Sequence, residues 1–169
     1  MLLYHGSNLI VEQPRLVEQT RGLDFGAGFY LTTNELQAIR FSKIVVNRRK
    51  GGTPTVSVYE FDLITAEKTL NILRFKTPDA LWLRFVTENR LKKYSGDAGD
   101  IVIGAVANDT VMPTLQAYFG GFLSEEAALI TLKTSKLVDQ MCFKSENALS
   151  LLRYVKSCAT EEKGGDVNE

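Results

Sequence analysis

Phe25-Gly26-Ala27-Gly28-Phe29-Tyr30-Leu31-Thr32 is the stretch on which the fold turns. Glycine alternates with large aromatics, which reads as a strand over residues 25–32 that something approaches closely. The Gly-x-Gly lacks the third glycine and the following helix of a dinucleotide fingerprint, and it lacks the Lys-Ser/Thr of a P-loop. Two readings of the rings follow. Either the strand is bulged and its aromatics are core, or an open backbone lies beside a platform for a flat ring. Thr32 and Glu35 have the spacing of a capping box. A helix therefore follows, with Leu36, Ile39, Phe41 and Ile44 as its apolar positions and Gly51-Gly52 as its end.

Working outward, Leu2 to Tyr4 reads as a short strand turning at His5-Gly6-Ser7, and residues 11–24 as loop. Thr55 to Leu63 alternates Val56, Val58 and Phe61 with polar residues, the pattern of a half-buried strand. Leu70 to Phe75 is a second short strand. Thr77-Pro78 opens a helix carrying Leu81, Trp82, Phe85 and Val86 and ending at Ser95-Gly96. Asp100 to Ala107 is the most apolar strand and belongs at a sheet centre. Asn108-Asp109-Thr110 caps a short helix through Phe119, and Ser124 caps another over residues 125–132. Lys136 to Phe143 returns as a strand. Ser145 caps a final helix striped by Leu149, Leu152 and Val155. The order lacks a regular βαβ alternation, so the fold class is α+β rather than doubly wound. Residues 1–160 read as one domain, and the polar, glycine-rich residues 161–169 as a flexible tail.

Composition narrows the function classes. The chain has 169 residues, 44% apolar and 24% charged, enough apolar surface for a folded core. Twenty basic and twenty acidic residues cancel, which argues against broad coating of nucleic acid but not against a site for one nucleotide. No run approaches the ~18 apolar residues of a membrane span. Met1 to Tyr4 lacks the basic n-region of a secretory signal, so a cytoplasmic protein is expected. Cys142 and Cys158 are too few for a disulfide framework. With His5 they make three Cys/His ligands where structural zinc sites use four, so no metal is expected.

Two short motifs carry the chemistry. In Tyr4-His5-Gly6-Ser7, a histidine beside an accessible backbone pair suits a sugar hydroxyl and an amide; the plainer reading is a satisfied polar residue. Together with Gly-x-Gly-Phe-Tyr in a strand before a capped helix, it resembles the diphtheria-toxin and poly(ADP-ribose) polymerase branch of the ADP-ribosyltransferase superfamily. Residues 1–154, with Asp100-Ile101-Val102 and Ala107-Asn108-Asp109-Thr110-Val111, look closer still to a small bacterial family in that superfamily. The resemblance implies a split β-sheet with flanking helices and NAD as substrate. It implies a His-Tyr-Glu triad, falling here on His5, Tyr30 and Gln140. It further implies that His5 and Ser7 meet the adenosine ribose and that Gly6 holds the nicotinamide carboxamide. Tyr30 and Phe41 would sandwich the nicotinamide ring, beside the open backbone at Gly28. Arg21 is a candidate for the pyrophosphate, against the alternative of a solvated loop residue. Asn47-Arg48-Arg49-Lys50 suits a helix C-terminus and, as a second reading, a target-docking patch. Trp82 and Phe85 read as core.

Gln140 departs from the triad. It keeps a hydrogen bond but brings no charge to the oxocarbenium-like state and does not act as a general base. Asp139 does not replace it, because neighbouring strand residues point to opposite faces. Val138 and Gln140 also lack the paired glutamates of the arginine-specific toxins. The resemblance thus implies mono-ADP-ribosyl transfer to an unknown acceptor, as in the toxin of a toxin–antitoxin pair with a small antitoxin partner. The alternatives are an NAD or ADP-ribose binding module without turnover and, third, an RNA 2′-phosphotransferase-like enzyme, for which no basic set is assignable.

Overall fold

The computed structural model describes residues 1–17, 21–108, 110–133 and 137–160. Its organising element is β5 (Ile101–Ala105), whose Ile101 to Gly104 are all buried. That run is apolar on both faces because β5 is paired on both edges and covered on both sides. It lies parallel to β4 (Ile72–Arg74) and antiparallel to β6 (Asp139–Phe143), and β2 (Phe29–Leu31) continues the sheet in the order β2-β6-β5-β4. A second sheet, in the order β1-β3-β7, is built from β1 (Leu2–Ser7), β3 (Thr55–Phe61) and β7 (Leu152–Ala159). The described residues thus form an α+β fold of two open sheets, with seven strands and six helices.

Side-chain alternation sorts the cores. Leu3, Tyr59 and Phe61 of the second sheet meet Phe29, Leu31, Ile101, Ile103, Met141 and Phe143 of the first in one buried cluster between the sheets. The outer face of the second sheet, with Val56 and Val58, is covered by α1 (Glu35–Arg49) through Ala38. The outer face of the first sheet carries Val102 and Cys142. It is covered by Phe25, α3 (Ala80–Arg90), α4 (Met112–Phe119) and α5 (Glu125–Lys133), with Trp82, Leu83, Val86, Leu115 and Leu132. Trp82 is fully buried and donates its indole N–H to the Ala105 carbonyl at 3.0 Å. Two short helices, α2 (Leu63–Thr69) and α6 (Glu146–Ser150), add Ala66, Ala148 and Leu149 to the inter-sheet core.

Several local expectations change. His5, Gly6 and Ser7 are strand residues, not a turn, because β1 pairs with β3 through Ser7↔Thr55. Only Phe29 to Leu31 of the 25–32 stretch is strand; Gly26 has φ 77° and turns the chain before it. The cap of α1 is Asn34, whose side chain accepts from Gln37 N at 3.0 Å. Thr32 faces β6 instead, donating to the Asp139 carbonyl at 2.8 Å. α1 buries Ala38, Ser42 and Val45, while Leu36, Phe41 and Ile44 are exposed, and so is Leu81 of α3. β3 is buried on both faces rather than one, being the middle strand of its sheet. Val111 sits at the start of α4 without a side-chain cap; Asn108 Oδ1 accepts from Thr110 N at 3.1 Å instead. Ser145 caps α6 as expected, but the helix ends at Ser150, and Leu152 and Val155 lie in β7. Hydrogen bonding to β3 decides this, with a register shift between Val58 and Tyr59 that blurs the period in the sequence. The expectations for Asp109, Lys136 and residues 161–169 fall outside the described residues.

α1 lies on β1 at backbone contact. A methyl group on Gly6 would stand 2.1 Å from the Ala38 carbonyl oxygen and 2.9 Å from Ser42 N. Gly6→Ala must therefore push the helix outward. It is expected to destabilise the fold by about 1–3 kcal/mol, read as a lower denaturant midpoint; an unchanged midpoint contradicts this packing.

Candidate functional site

The two sheets share a core but, among the described residues, β1 and β2 are joined by one hydrogen-bonded pair. Tyr4 N donates to Thr32 O at 2.9 Å and Thr32 N to Tyr4 O at 3.0 Å. Strand groups alternate in direction, so the N–H and C=O of Gly6 point the same way as those of Tyr4, towards β2. The next carbonyl of β2 facing that edge is Tyr30 O, and it is already taken. His5 Nδ1 lies 2.8 Å from it. The ladder thus opens after one pair, with an imidazole stitched across the gap and the amide groups of Gly6 at its edge.

The tautomer of His5 follows from chemistry. A carbonyl oxygen only accepts, so Nδ1 carries the proton and, in the neutral ring, Nε2 is an acceptor. Burial, with the nearby Arg49 charge adding to it, holds the imidazole below its usual value of 6.5 against the opposing bond to Tyr30. The ring stacks on Phe29 at 4.3 Å and 27°. Ser7 is buried on the same face of β1 as His5.

Tyr30 and Gln140 share the opposite face of the first sheet, since Tyr30 pairs with Cys142 and Gln140 follows two residues before it on β6. The Tyr30 hydroxyl donates to Gly26 O at 2.7 Å and accepts from Phe25 N at 3.0 Å, fastening the glycine turn over the sheet. Burial pushes this phenol well above its ordinary range. Gln140 is buried, and its Nε2 donates to Asp24 Oδ2 at 2.8 Å. Gly28 proves to be a packing residue: a methyl there would stand 2.4 Å from Cys142 Sγ and 2.7 Å from Phe143 O.

Arg21, Arg48 and Arg49 form a cationic rim. Burial and then the like charges of Arg21 and Arg49 hold the Arg48 guanidinium below its usual value. Arg48 sits over the ring of Phe41 at 5.9 Å, and Arg49 Nη1 donates to Asn8 Oδ1 at 3.0 Å. Among the described residues none of the three has a carboxylate partner within salt-bridge distance. Arg48 is thus within electrostatic reach of Arg21 and over the Phe41 ring, and Arg49 is within electrostatic reach of His5.

Two residues escaped the sequence reading. Asp24 sat in a loop without period, yet it anchors Gln140 across 116 positions. Gln37 on α1 has an Oε1 that is fully buried with no hydrogen-bond partner. It precedes Ala38, the residue in contact with Gly6, and an orphan acceptor there suits a ligand N–H. No local sequence signal marks either residue. A separate open groove of about 960 Å³ lies between Pro78, Phe75, Leu129 and Leu132. It meets this region at Thr33, Ala105 and Asp139 and is largely apolar, with Arg74, Lys76, Asp79 and Lys133 also in its lining.

Over residues 1–154 the chain matches the model of a family described as "Protein of unknown function (DUF3990)", and it belongs to that family. No curated protein and no solved structure matches it. Among the described residues, no helix is long and apolar enough to cross a membrane.

His5 is the single histidine of the chain, so its titration is read without overlap. Nuclear magnetic resonance is expected to show a neutral Nδ1–H ring with a pKa below 6.5. The unfolded chain binds the proton that the fold resists. Stability should therefore fall as the pH drops through about 6.5 towards the folded value and should be flat above it. His5→Asn should lose that part of the slope; a pKa above 6.5 overturns the assignment.

Proposed function

We propose that this chain is an NAD-dependent mono-ADP-ribosyltransferase working at the split between its sheets, releasing nicotinamide as it transfers ADP-ribose to an acceptor. The observation that carries the reading is the opened ladder, in which His5 occupies the Tyr30 carbonyl and leaves the Gly6 N–H and C=O at the edge. A carboxamide needs one acceptor and one donor side by side, and a strand-edge glycine offers both. The Nε2 of a neutral His5 accepts from a ribose hydroxyl. The Arg21, Arg48 and Arg49 rim supplies positive charge for a pyrophosphate. Gln37 Oε1 adds a buried acceptor in want of a donor.

The chemistry follows from these roles. The bond between nicotinamide and ribose breaks, nicotinamide leaves with the electron pair, and positive charge develops on the ribose. An acceptor nucleophile then bonds to that carbon and gives its proton to solvent. His5, Gly6 and the arginines bind and orient, and Gln140 is the polar side chain on the Tyr30 face. A second reading, binding without turnover, draws on one observation: Gln140 is 6% exposed, with its amide nitrogen committed to Asp24.

Nicotinamide release from NAD by the purified chain decides between them. His5→Ala should lower release by at least about tenfold, the worth of one lost hydrogen bond. Tyr30→Ala should do the same, while Tyr30→Phe, which keeps the ring, should retain most activity. Tight NAD binding with no release by the wild type supports the binding module, and the absence of both sinks the proposal.

A further inference from the structure

We infer that Asp24 is a positioning residue for the reaction: it fixes the Gln140 amide with its carbonyl oxygen towards the substrate face and puts negative potential behind it. This rests on the functional reading above.

The Asp24 side chain is 6% exposed, and its oxygens are filled by donors. Arg90 Nε and Nη2 stand 2.6 and 2.5 Å from Oδ1, and Ala107 N and Gln140 Nε2 each stand 2.8 Å from Oδ2. A carboxylate only accepts, so the atom of Gln140 that faces Asp24 is its nitrogen. The Ala105 carbonyl, 3.5 Å from the same nitrogen, agrees with that orientation. Gln140 Oε1 is thereby turned away from Asp24, on the face shared with Tyr30. Among the described residues no group donates to it, and Gln37 Oε1 is the side-chain atom left fully buried without a partner. Gln140 Oε1 is thus left without a donor by the described residues, in a residue that is 6% exposed.

This arrangement suits a site where glutamine stands in place of the glutamate of the families it resembles. An amide alone brings a dipole and no charge. Here the Asp24–Arg90 pair has its negative end, Oδ2, on the amide, so the chain Asp24–Gln140 polarises towards Oε1. An oxygen held in advance at negative potential is what a developing ribose cation needs. Without Asp24 the amide is free to flip and present its N–H groups instead.

The test is nicotinamide release by the full chain, comparing wild type with D24N, Q140A, D24N/Q140A and D24N/Q140E, each with its melting midpoint and NAD affinity. D24N should lower turnover by at least about tenfold while leaving NAD affinity within about threefold, a charge-assisted hydrogen bond being lost from the transition state alone. In the Q140A background D24N should have no further effect on rate, although it still lowers the midpoint through Arg90 and Ala107. Moving the charge by one residue in D24N/Q140E should restore release above D24N. In the wild type, the Gln140 side-chain amide protons should be protected from exchange. Full turnover by a folded D24N, an equal loss in the Q140A background, or unprotected amide protons would each overturn the inference while the functional reading stands. No release by the wild type overturns the functional reading itself, and this one with it.

Discussion

Two sheets that share one hydrophobic core but, among the described residues, are bonded edge to edge at one residue pair must part somewhere, and they part at Gly6 and Tyr30. Everything placed at the split depends on that geometry. The inter-sheet cluster of Leu3, Phe29, Tyr59 and Phe143 holds the sheets together by burial rather than by a ladder. The strand-edge groups of the buried Gly6 can therefore go without a β2 partner while the fold holds. His5 stands where this core ends, one face on Phe29 and its Nδ1 proton on the Tyr30 carbonyl. The imidazole thus takes the place of the missing strand pair, and among the described residues its second nitrogen has no hydrogen-bond partner.

The polar network on the other face has a different logic. Asp24, Arg90, the Gln140 amide nitrogen and the Ala107 N–H form a bonded group in which both carboxylate oxygens of Asp24 have donors. Desolvating an ion pair costs about as much as its attraction returns, so such a group is poor evidence of stabilisation. Its effect is to fix orientation. It ties the loop before the glycine turn to the C-terminus of α3, the end of β5 and the start of β6, and so decides which way a neutral amide faces.

What was legible in the sequence were features that act locally or in long runs. β5 could be read because Ile101-Val102-Ile103 is apolar on both faces, and the start of α6 because Ser145 bonds within its own turn. β7 could not. Leu149, Leu152 and Val155 have helical spacing, and only pairing with β3, around a register shift, makes Leu152 onward a strand. Of the apolar positions of α1 only Ile39 packs inward, and Leu36, Phe41 and Ile44 are exposed, because α1 meets β1 through small residues, Ala38 and Ser42 against Gly6. A close approach of backbones leaves no apolar stripe to detect. The same holds at the site. His5 and Tyr30 lie in short local motifs, and Gln140 was placed only through the resemblance; Asp24 acts across 116 positions, and no local pattern announces that.

Trp82 has a consequence of another kind. It is the chain's single tryptophan, fully buried, with its indole N–H on the Ala105 carbonyl. The Gln140 amide nitrogen approaches that same oxygen at 3.5 Å. The protein therefore carries one indole beside its six tyrosines, fully buried and joined by a shared carbonyl to the residue at its proposed chemical centre. A turn of the Gln140 amide would change the field at the indole, so the emission of this ring is a label-free probe of that side chain.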